Sequence, residues 1–159
     1  MAKEIERKFL VVNNLYETMA ESCHHIVQGY VSLRPEGTVR VRIRDNQAFI
    51  TIKGLTRGAE RDEWEYPVPL ADALQMLERV TEGAVIDKER FMVPYGGHLW
   101  EVDRFSGVYA GMVVAEIELD SADTEFPLPP FIGAEVTGDP SYYNSSLAAG
   151  RSSGDISSN

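Results

Sequence analysis

A chain of 159 residues, 43% hydrophobic and 25% charged, suits one domain with a full hydrophobic core, so folding needs neither disulfides nor a structural metal. Its formal net charge of −10 argues against a general nucleic-acid binder and against an anionic-lipid binder, while leaving room for a local basic pocket. The single cysteine, Cys23, cannot form an internal disulfide and belongs to no Cys/His metal spacing; it is expected as a small buried hydrophobe.

Period-two alternation dominates the chain. It predicts a first strand over 3–11 (KEIERKFLV), followed by a short helix over 14–22 (NLYETMAES). Strands over 24–34 and 38–45 are joined by a turn at Arg34-Pro35-Glu36-Gly37, and Asp45-Asn46 turns the chain into a strand over 47–54. A strand over 60–68 precedes an amphipathic helix over 70–80, with Leu70, Leu74, Leu77 and Val80 on its apolar side. Strands over 85–94 and 98–106 form a hairpin through Gly96-Gly97, and a strand over 112–121 follows. The last element is a helix over 139–150, with Pro140 in its first turn and Gly150 as terminator.

Eight strands joined mostly by short turns predict a mainly β (α+β) fold. The expected architecture is an eight-stranded antiparallel closed β-barrel, with the helices packed outside it or plugging an end. The expected organisation is one domain over 1–149 and a small, polar, flexible tail over 150–159 (GRSSGDISSN). No apolar run approaches the roughly 20 residues that span a bilayer, and no basic stretch followed by an apolar one opens the chain. A cytoplasmic protein with neither membrane nor nucleic acid as partner is expected.

Sorting each strand into its two faces separates charge from apolar groups. One face collects Glu4, Glu6 and Lys8, then Arg40, Arg42 and Arg44, then Lys53, Arg61, Glu63 and Glu65, then Lys88 and Arg90, then Glu101 and Asp103, and last Glu116 and Glu118. The opposite face collects Ile5, Phe9, Val39, Val41, Ile43, Ile50, Ile52, Trp64, Phe91, Val93, Trp100, Val102 and Ile117. Two arrangements satisfy this pattern. In the first, the charged face meets water and the apolar face fills a sandwich core. In the second, the charged face lines a wet lumen and the apolar face points outward, under helices or a partner subunit. Two features favour the lumen. Ser, Thr, Asn and Gln scarcely interrupt the charged face, and like charges sit side by side in VRVRIR and AEIEL, which is unfavourable unless something of opposite sign bridges them.

A lumen of Arg and Lys suits a polyanion, because guanidinium forks and ammonium groups match phosphate oxygens. Glu-x-Glu places both carboxylates on one side, and hard divalent cations take oxygen ligands. Glu4/Glu6 and Glu116/Glu118 are two such pairs, so Mg²⁺ or Mn²⁺ beside phosphate is the natural guest. The expected partner is therefore a small phosphate-rich molecule, and outward apolar faces make a homodimer compatible with the pattern.

EIERK at 4–8 resembles the Glu-x-Glu-x-Lys signature of the CYTH superfamily, the triphosphate tunnel metalloenzymes. The likeness extends in order through QGY at 28–30, VRVRIR at 39–44, TIKG at 51–54, the Glu63/Glu65 pair, KERF at 88–91, EVD at 101–103, AEIEL at 115–119 and VTGDPSYYNSSLA at 136–148. The resemblance implies an eight-stranded tunnel binding triphosphates with a divalent metal. The family's activities include hydrolysis of inorganic triphosphate or thiamine triphosphate, class IV adenylate cyclase and RNA 5′-triphosphatase. Carried over by motif, Glu4, Glu6, Glu116 and Glu118 hold metal, and Lys8, Arg40, Arg42, Lys53, Lys88 and Arg90 hold phosphates. Lys8 is also the expected catalytic group. Asp103 assists metal or water, and Glu63 and Glu65 either join it or hold the basic residues in place. Arg44 and Arg61 receive no role.

The expected reaction is hydrolysis of the terminal phosphoanhydride of tripolyphosphate. A cyclase needs an adenine pocket that the sequence does not reveal, and a thiamine triphosphatase needs a recess for the thiamine rings. A binding module without catalysis leaves the glutamate pairs purposeless. His24, His25 and His98 are expected at the surface or strand ends, Trp64 and Trp100 in packing, and Tyr142 and Tyr143 as anchors of the last helix.

Overall fold

The computed structural model describes residues 2–150, so 151–159 of the expected tail lie outside the described residues. The described residues form nine strands: β1 (Ala2–Val11), β2 (Ser22–Ser32), β3 (Thr38–Arg44), β4 (Gln47–Lys53), β5 (Glu60–Val68), β6 (Glu82–Tyr95), β7 (His98–Phe105), β8 (Val113–Glu118) and β9 (Ile132–Glu135). Three α-helices join them: α1 (Tyr16–Met19), α2 (Leu70–Arg79) and α3 (Asn144–Ala149).

The first eight strands run antiparallel in the order β5-β4-β3-β2-β6-β7-β8-β1, and β1 pairs back with β5 to close the barrel. The expected eight-stranded barrel is thus the fold observed. Closure is a matter of register along β1: Ala2 to Ile5 face Glu63 to Glu60, whereas Glu6 to Leu10 face Glu118 to Val114 of β8. β9 was not foreseen. It has four residues and borrows the edge of β1 beyond β5, pairing with Phe9 and Val11, which is too little alternation to read in a sequence.

Two tight turns follow their residue types. Gly96 and Gly97 both hold positive φ (58° and 82°) between the paired Tyr95 and His98, as a two-residue hairpin of the favoured hand requires. Asp45 holds φ 56° between Arg44 and Gln47; its carboxylate accepts the His25 backbone N–H and lies 2.7 Å from His24 Nδ1.

The helices depart from expectation at their ends and in their faces. α1 spans four residues rather than nine, because Ser22 onward is drawn into pairing with β6, with Ser22 opposite Met92. α2 buries Ala73 and packs Met76 and Leu77 against Val41, Ile43, Ala48 and Ile50. Leu70, Leu74 and Val80, expected on its apolar side, are exposed, Leu74 at 56%. The last helix begins only at Asn144, after a 3₁₀ turn over Pro140–Tyr142, and ends at Gly150 in the left-handed conformation.

The apolar faces point away from the barrel axis. Phe9, Phe91, Val93, Trp100, Val102, Ala115 and Ile117 form a core between the wall and Tyr16, Leu119 and Phe131, with Trp100 against Phe9 and Phe126 at ring distances of 5.4 and 5.7 Å. Burial of such side chains stabilises by about 1.5–3 kcal/mol each. Inside the barrel an apolar cluster lies at the end where α3 sits. There Leu147 and Ala148 meet Tyr30, Ile86, Phe105 and Val114. Gly83, at φ 68°, allows this approach, since a Cβ there would come 2.2 Å from the Ala148 carbonyl oxygen. Cys23, expected to be buried, is exposed: the cover over the outer face of β2 reaches Gly29 and Val31 but not its first residues.

Candidate active site

Alternation directs every second side chain of each strand toward the barrel axis. β1 contributes Glu4, Glu6 and Lys8; β3 and β4 contribute Arg40, Arg42 and Lys53; β5 contributes Arg61, Glu63 and Glu65; β6 to β8 contribute Arg90, Glu101, Glu116 and Glu118. All line one cavity of about 210 Å³. The charged face is the lumen.

Most lumen cations are paired with carboxylates. Lys8 Nζ lies 3.1 Å from Glu116 Oε2 and donates to the Tyr142 carbonyl at 3.0 Å. Lys53 Nζ donates to both Glu4 oxygens at 2.9 and 3.1 Å and lies 3.5 Å from Glu63. Arg40 donates to Thr51 Oγ1, which donates in turn to Glu65 at 2.7 Å. Arg90 grips Asp103 through two bonds of 2.8 and 2.9 Å and lies 3.3 Å from Glu101.

Lys88 and Asp103 stand elsewhere than expected. Neither lines the cavity. Lys88 is 0% exposed, and its ammonium donates to Asp103 at 2.7 Å and to Asn144 Oδ1 at 2.9 Å. Burial outweighs the neighbouring Asp103 and pushes the Lys88 ammonium down to about 7, with Arg90 and Arg42 adding to the shift. Asp103 has both oxygens engaged by Arg90 and Lys88, which together overcome burial and hold its carboxyl far below the usual range. The pair lies on the lumen face but deeper than the cavity, beneath Arg90 and against Asn144 of α3, with both Asp103 oxygens hydrogen-bonded to these cations.

The carboxylates divide in two groups. Burial raises Glu116, but Lys8 and Arg90 outweigh it and hold the group at about 2. Glu4 is likewise held low, with Lys53 overcoming burial. Glu6 and Glu118 have no cation within 4.0 Å among the described residues. Burial and the adjacent Glu116 and Glu4 push Glu6 well up, and burial with Glu4, Glu63 and Glu101 pushes Glu118 up to about 7. Oxygens of Glu4, Glu63 and Glu118 lie within 4.8 Å of one another. Three converging carboxylates with one ammonium, that of Lys53, beside them fit a hard divalent cation. The structure joins Glu4 and Glu118 to Glu63, whereas Glu6 stands beside Glu118 across the β1–β8 pairing and Glu116 is engaged by Lys8. Glu63 carried the same alternating Glu-x-Glu signal as the other pairs; its place beside Glu4 comes from the β1–β5 closure.

Sequence reading missed the lumen groups supplied by loops and the last helix: Thr56 and Gly58 before β5, and Thr137, Gly138, Asn144 and Ser145. None belongs to an alternating charged run. Thr137 is tied to β1, accepting the Lys8 backbone N–H at 2.9 Å and donating to Glu135, which also holds Arg7. Tyr143 also lines the lumen, with its ring centroid 5.8 Å from Lys8 Nζ. The histidines lie outside it: His24 and His25 pair with Asp45 and Asp87, and Trp100 is buried in the outer core. No described helix is long and apolar enough to cross a membrane.

Comparison with known proteins agrees with this geometry. An inorganic triphosphatase of Acetivibrio thermocellus is 42% identical over 147 residues, covering 92% of this chain and 94% of the relative. An inorganic triphosphatase of Nitrosomonas europaea is 35% identical over 154 residues, covering 91% and 96%. The crystal structure of the inorganic triphosphatase NE1496 superposes with a TM-score of 0.67 at 32% identity, covering 93% of this chain and 99% of that one. The family model of the CYTH domain matches residues 2–143, and with a closed eight-stranded barrel around a charged lumen, this chain belongs to the CYTH family.

Proposed function

We propose that this chain is a divalent-metal-dependent triphosphatase that hydrolyses the terminal phosphoanhydride of inorganic tripolyphosphate. One domain over 1–149 would carry the activity. The observation that supports this most is the presence, in one lumen, of surplus carboxylates beside a row of guanidinium and ammonium groups. A polyanion alone would be repelled by the first, and a metal alone has no need of the second.

Glu4, Glu63 and Glu118 would hold the cation, with Glu6 beside them and Glu116 nearby. When bound, Mg²⁺ or Mn²⁺ supplies Lewis acidity to phosphate oxygens and to the attacking water. Arg40, Arg42, Lys53 and Arg90 bind and orient the phosphate chain. Lys88 and Asp103 act through Arg90, Asp103 holding its fork and Lys88 holding Asp103. Lys8, between the glutamates and the C-terminal segment, offers its ammonium to the charge spreading over phosphoryl oxygens in the transition state. The two named relatives carry the same activity in their names.

The reading takes the protein as cytoplasmic and its substrate as a small molecule, with neither nucleic acid nor membrane involved. Exposed Ile52, Tyr66 and Leu74 are available to a homodimer, which sedimentation would reveal. The deciding experiment incubates purified protein with tripolyphosphate, ATP or thiamine triphosphate, each with Mg²⁺ or Mn²⁺. Phosphate released fastest from tripolyphosphate supports the reading. Cyclic AMP from ATP would make the chain a cyclase, thiamine diphosphate as the main product a thiamine triphosphatase, and binding without turnover a polyphosphate module.

A further inference from the structure

Two lumen cations, Arg42 and Arg61, have no carboxylate within 4.0 Å among the described residues. Arg61 is held at the β4–β5 connection by the Gly54 carbonyl, at 2.9 and 3.1 Å. Arg42 stands deeper, among other positive groups, and burial together with Arg40 and Arg90 makes its charge costly. Its hydrogen-bond partner is a neutral side chain. Arg42 Nε donates to Gln28 Oε1 at 2.7 Å. Gln28 is 0% exposed and sits opposite Arg42 in the β2–β3 pairing. Its other end is also committed: Nε2 donates at 3.2 Å to Asn144 Oδ1, the atom that accepts from Lys88.

We infer that Gln28 is a positioning residue for the phosphate clamp, orienting the Arg42 guanidinium without cancelling its charge. The inference rests on the triphosphatase reading above. A carboxylate at position 28 would make the stronger bond to Arg42, as Glu116, Glu4 and Asp103 do for Lys8, Lys53 and Arg90. It would also satisfy Arg42 before any phosphate arrived. An amide fixes one edge of the guanidinium and leaves its positive charge for a polyanion. The amide has a second use that a carboxylate lacks, since only an N–H donor can face Asn144 Oδ1 while that oxygen also receives Lys88. The chain Arg42–Gln28–Asn144–Lys88–Asp103–Arg90 thus links the arginines of β3 and β6 through α3.

Gln28→Glu and Gln28→Met test this, each compared with wild type for kcat, KM and tripolyphosphate Kd with divalent cation, and for Tm. Gln28→Glu is expected to raise KM and Kd at least tenfold, because it neutralises Arg42. Gln28→Met keeps the charge but loses the hold; it is expected to raise KM only two- to fivefold while kcat falls further. A residue that served folding alone would lower Tm and the active fraction with KM unchanged. Wild-type KM in both variants, or a KM for Gln28→Met at or above that of Gln28→Glu, would overturn the inference. If Gln28→Glu does not fold, Gln28→Met decides alone: wild-type kcat and KM would refute the positioning role. Failure of wild type to turn over tripolyphosphate would sink the triphosphatase reading instead, and the Kd comparison would still judge Gln28.

Discussion

Lys8 joins three parts of the molecule. Its ammonium is 3.1 Å from Glu116 on β8, bonds the Tyr142 carbonyl before α3, and lies 5.8 Å from the Tyr143 ring. Burial depresses it, yet Glu116 and Glu6 outweigh burial and raise it, so it stays charged. Removing one preorganised donor of this kind costs about 2.7–4 kcal/mol of barrier. Lys8→Ala is therefore expected to lower kcat by about two to three orders of magnitude, with circular dichroism unchanged; near-wild-type turnover would remove Lys8 from the chemistry. Glu118 makes a second prediction. Its carboxyl is raised to about 7 from an ordinary 4.5. In metal-free protein the folded state therefore holds a proton that the unfolded chain has already released. Its contribution is full below about pH 4.5 and is lost as pH rises through about 7. Subtracting the Glu118→Gln profile should isolate this loss in calorimetric Tm, and excess Mg²⁺ should suppress it. A wild-type contribution that grows across the same window would contradict the assignment.

At the scale of elements, helix α2 shows how a sheet selects a helical face. Ala73 is 0% exposed against Val41, Ile43 and Ala48, because only a small residue lets the helix approach so closely. The leucines flanking that contact are left at its rim. Ala73→Leu is expected to destabilise by about 1–3 kcal/mol through overpacking, whereas Leu74→Lys should stay within about 0.5 kcal/mol of wild type. Urea unfolding distinguishes the two, and the reverse ranking would mean that the leucine side faces the barrel in solution. Helix α3 contributes both packing and site groups, since Leu147 fills the barrel end while Asn144 and Ser145 border the lumen. Leu147→Ala is expected to cost about 2–5 kcal/mol. In that variant KM for tripolyphosphate should rise as well, because Asn144 is tethered to the same helix. A stability loss with wild-type KM would separate the plug from the clamp.

For the molecule as a whole, the charged side chains are sequestered by a wall whose apolar groups face outward. The barrel therefore has a wet interior and a core on its outside, between wall and covering segments. Such a lumen stores repulsion in both signs, among Arg40, Arg42 and Arg90 and among Glu4, Glu6, Glu63 and Glu118. On the triphosphatase reading, a metal–polyphosphate guest would relieve both. Tripolyphosphate at about 100 times its Kd, with Mg²⁺ present, is expected to add about 2.7 kcal/mol of stability, and chelation of the metal should remove most of that gain. Equal stabilisation with and without the divalent cation would mean that the carboxylates do not serve metal.

By itself the sequence determined the strands, the two faces and the chemistry of each, because alternation is a local property of an extended backbone. The Glu4/Glu6/Lys8, Arg40/Arg42 and Glu116/Glu118 rows were legible for that reason, and their order in the chain carried the family likeness. Only the tertiary structure decided which carboxylates converge, since Glu63 reaches Glu4 through the β1–β5 closure, a contact between residues far apart in the chain. It also set Lys88 and Asp103 deeper than the cavity, beneath Arg90, and brought Gln28, Thr137 and Asn144 to the site. Alternation tells which side a residue faces. How deep it lies and what neighbours it are set by barrel register and by the helix that fills one end.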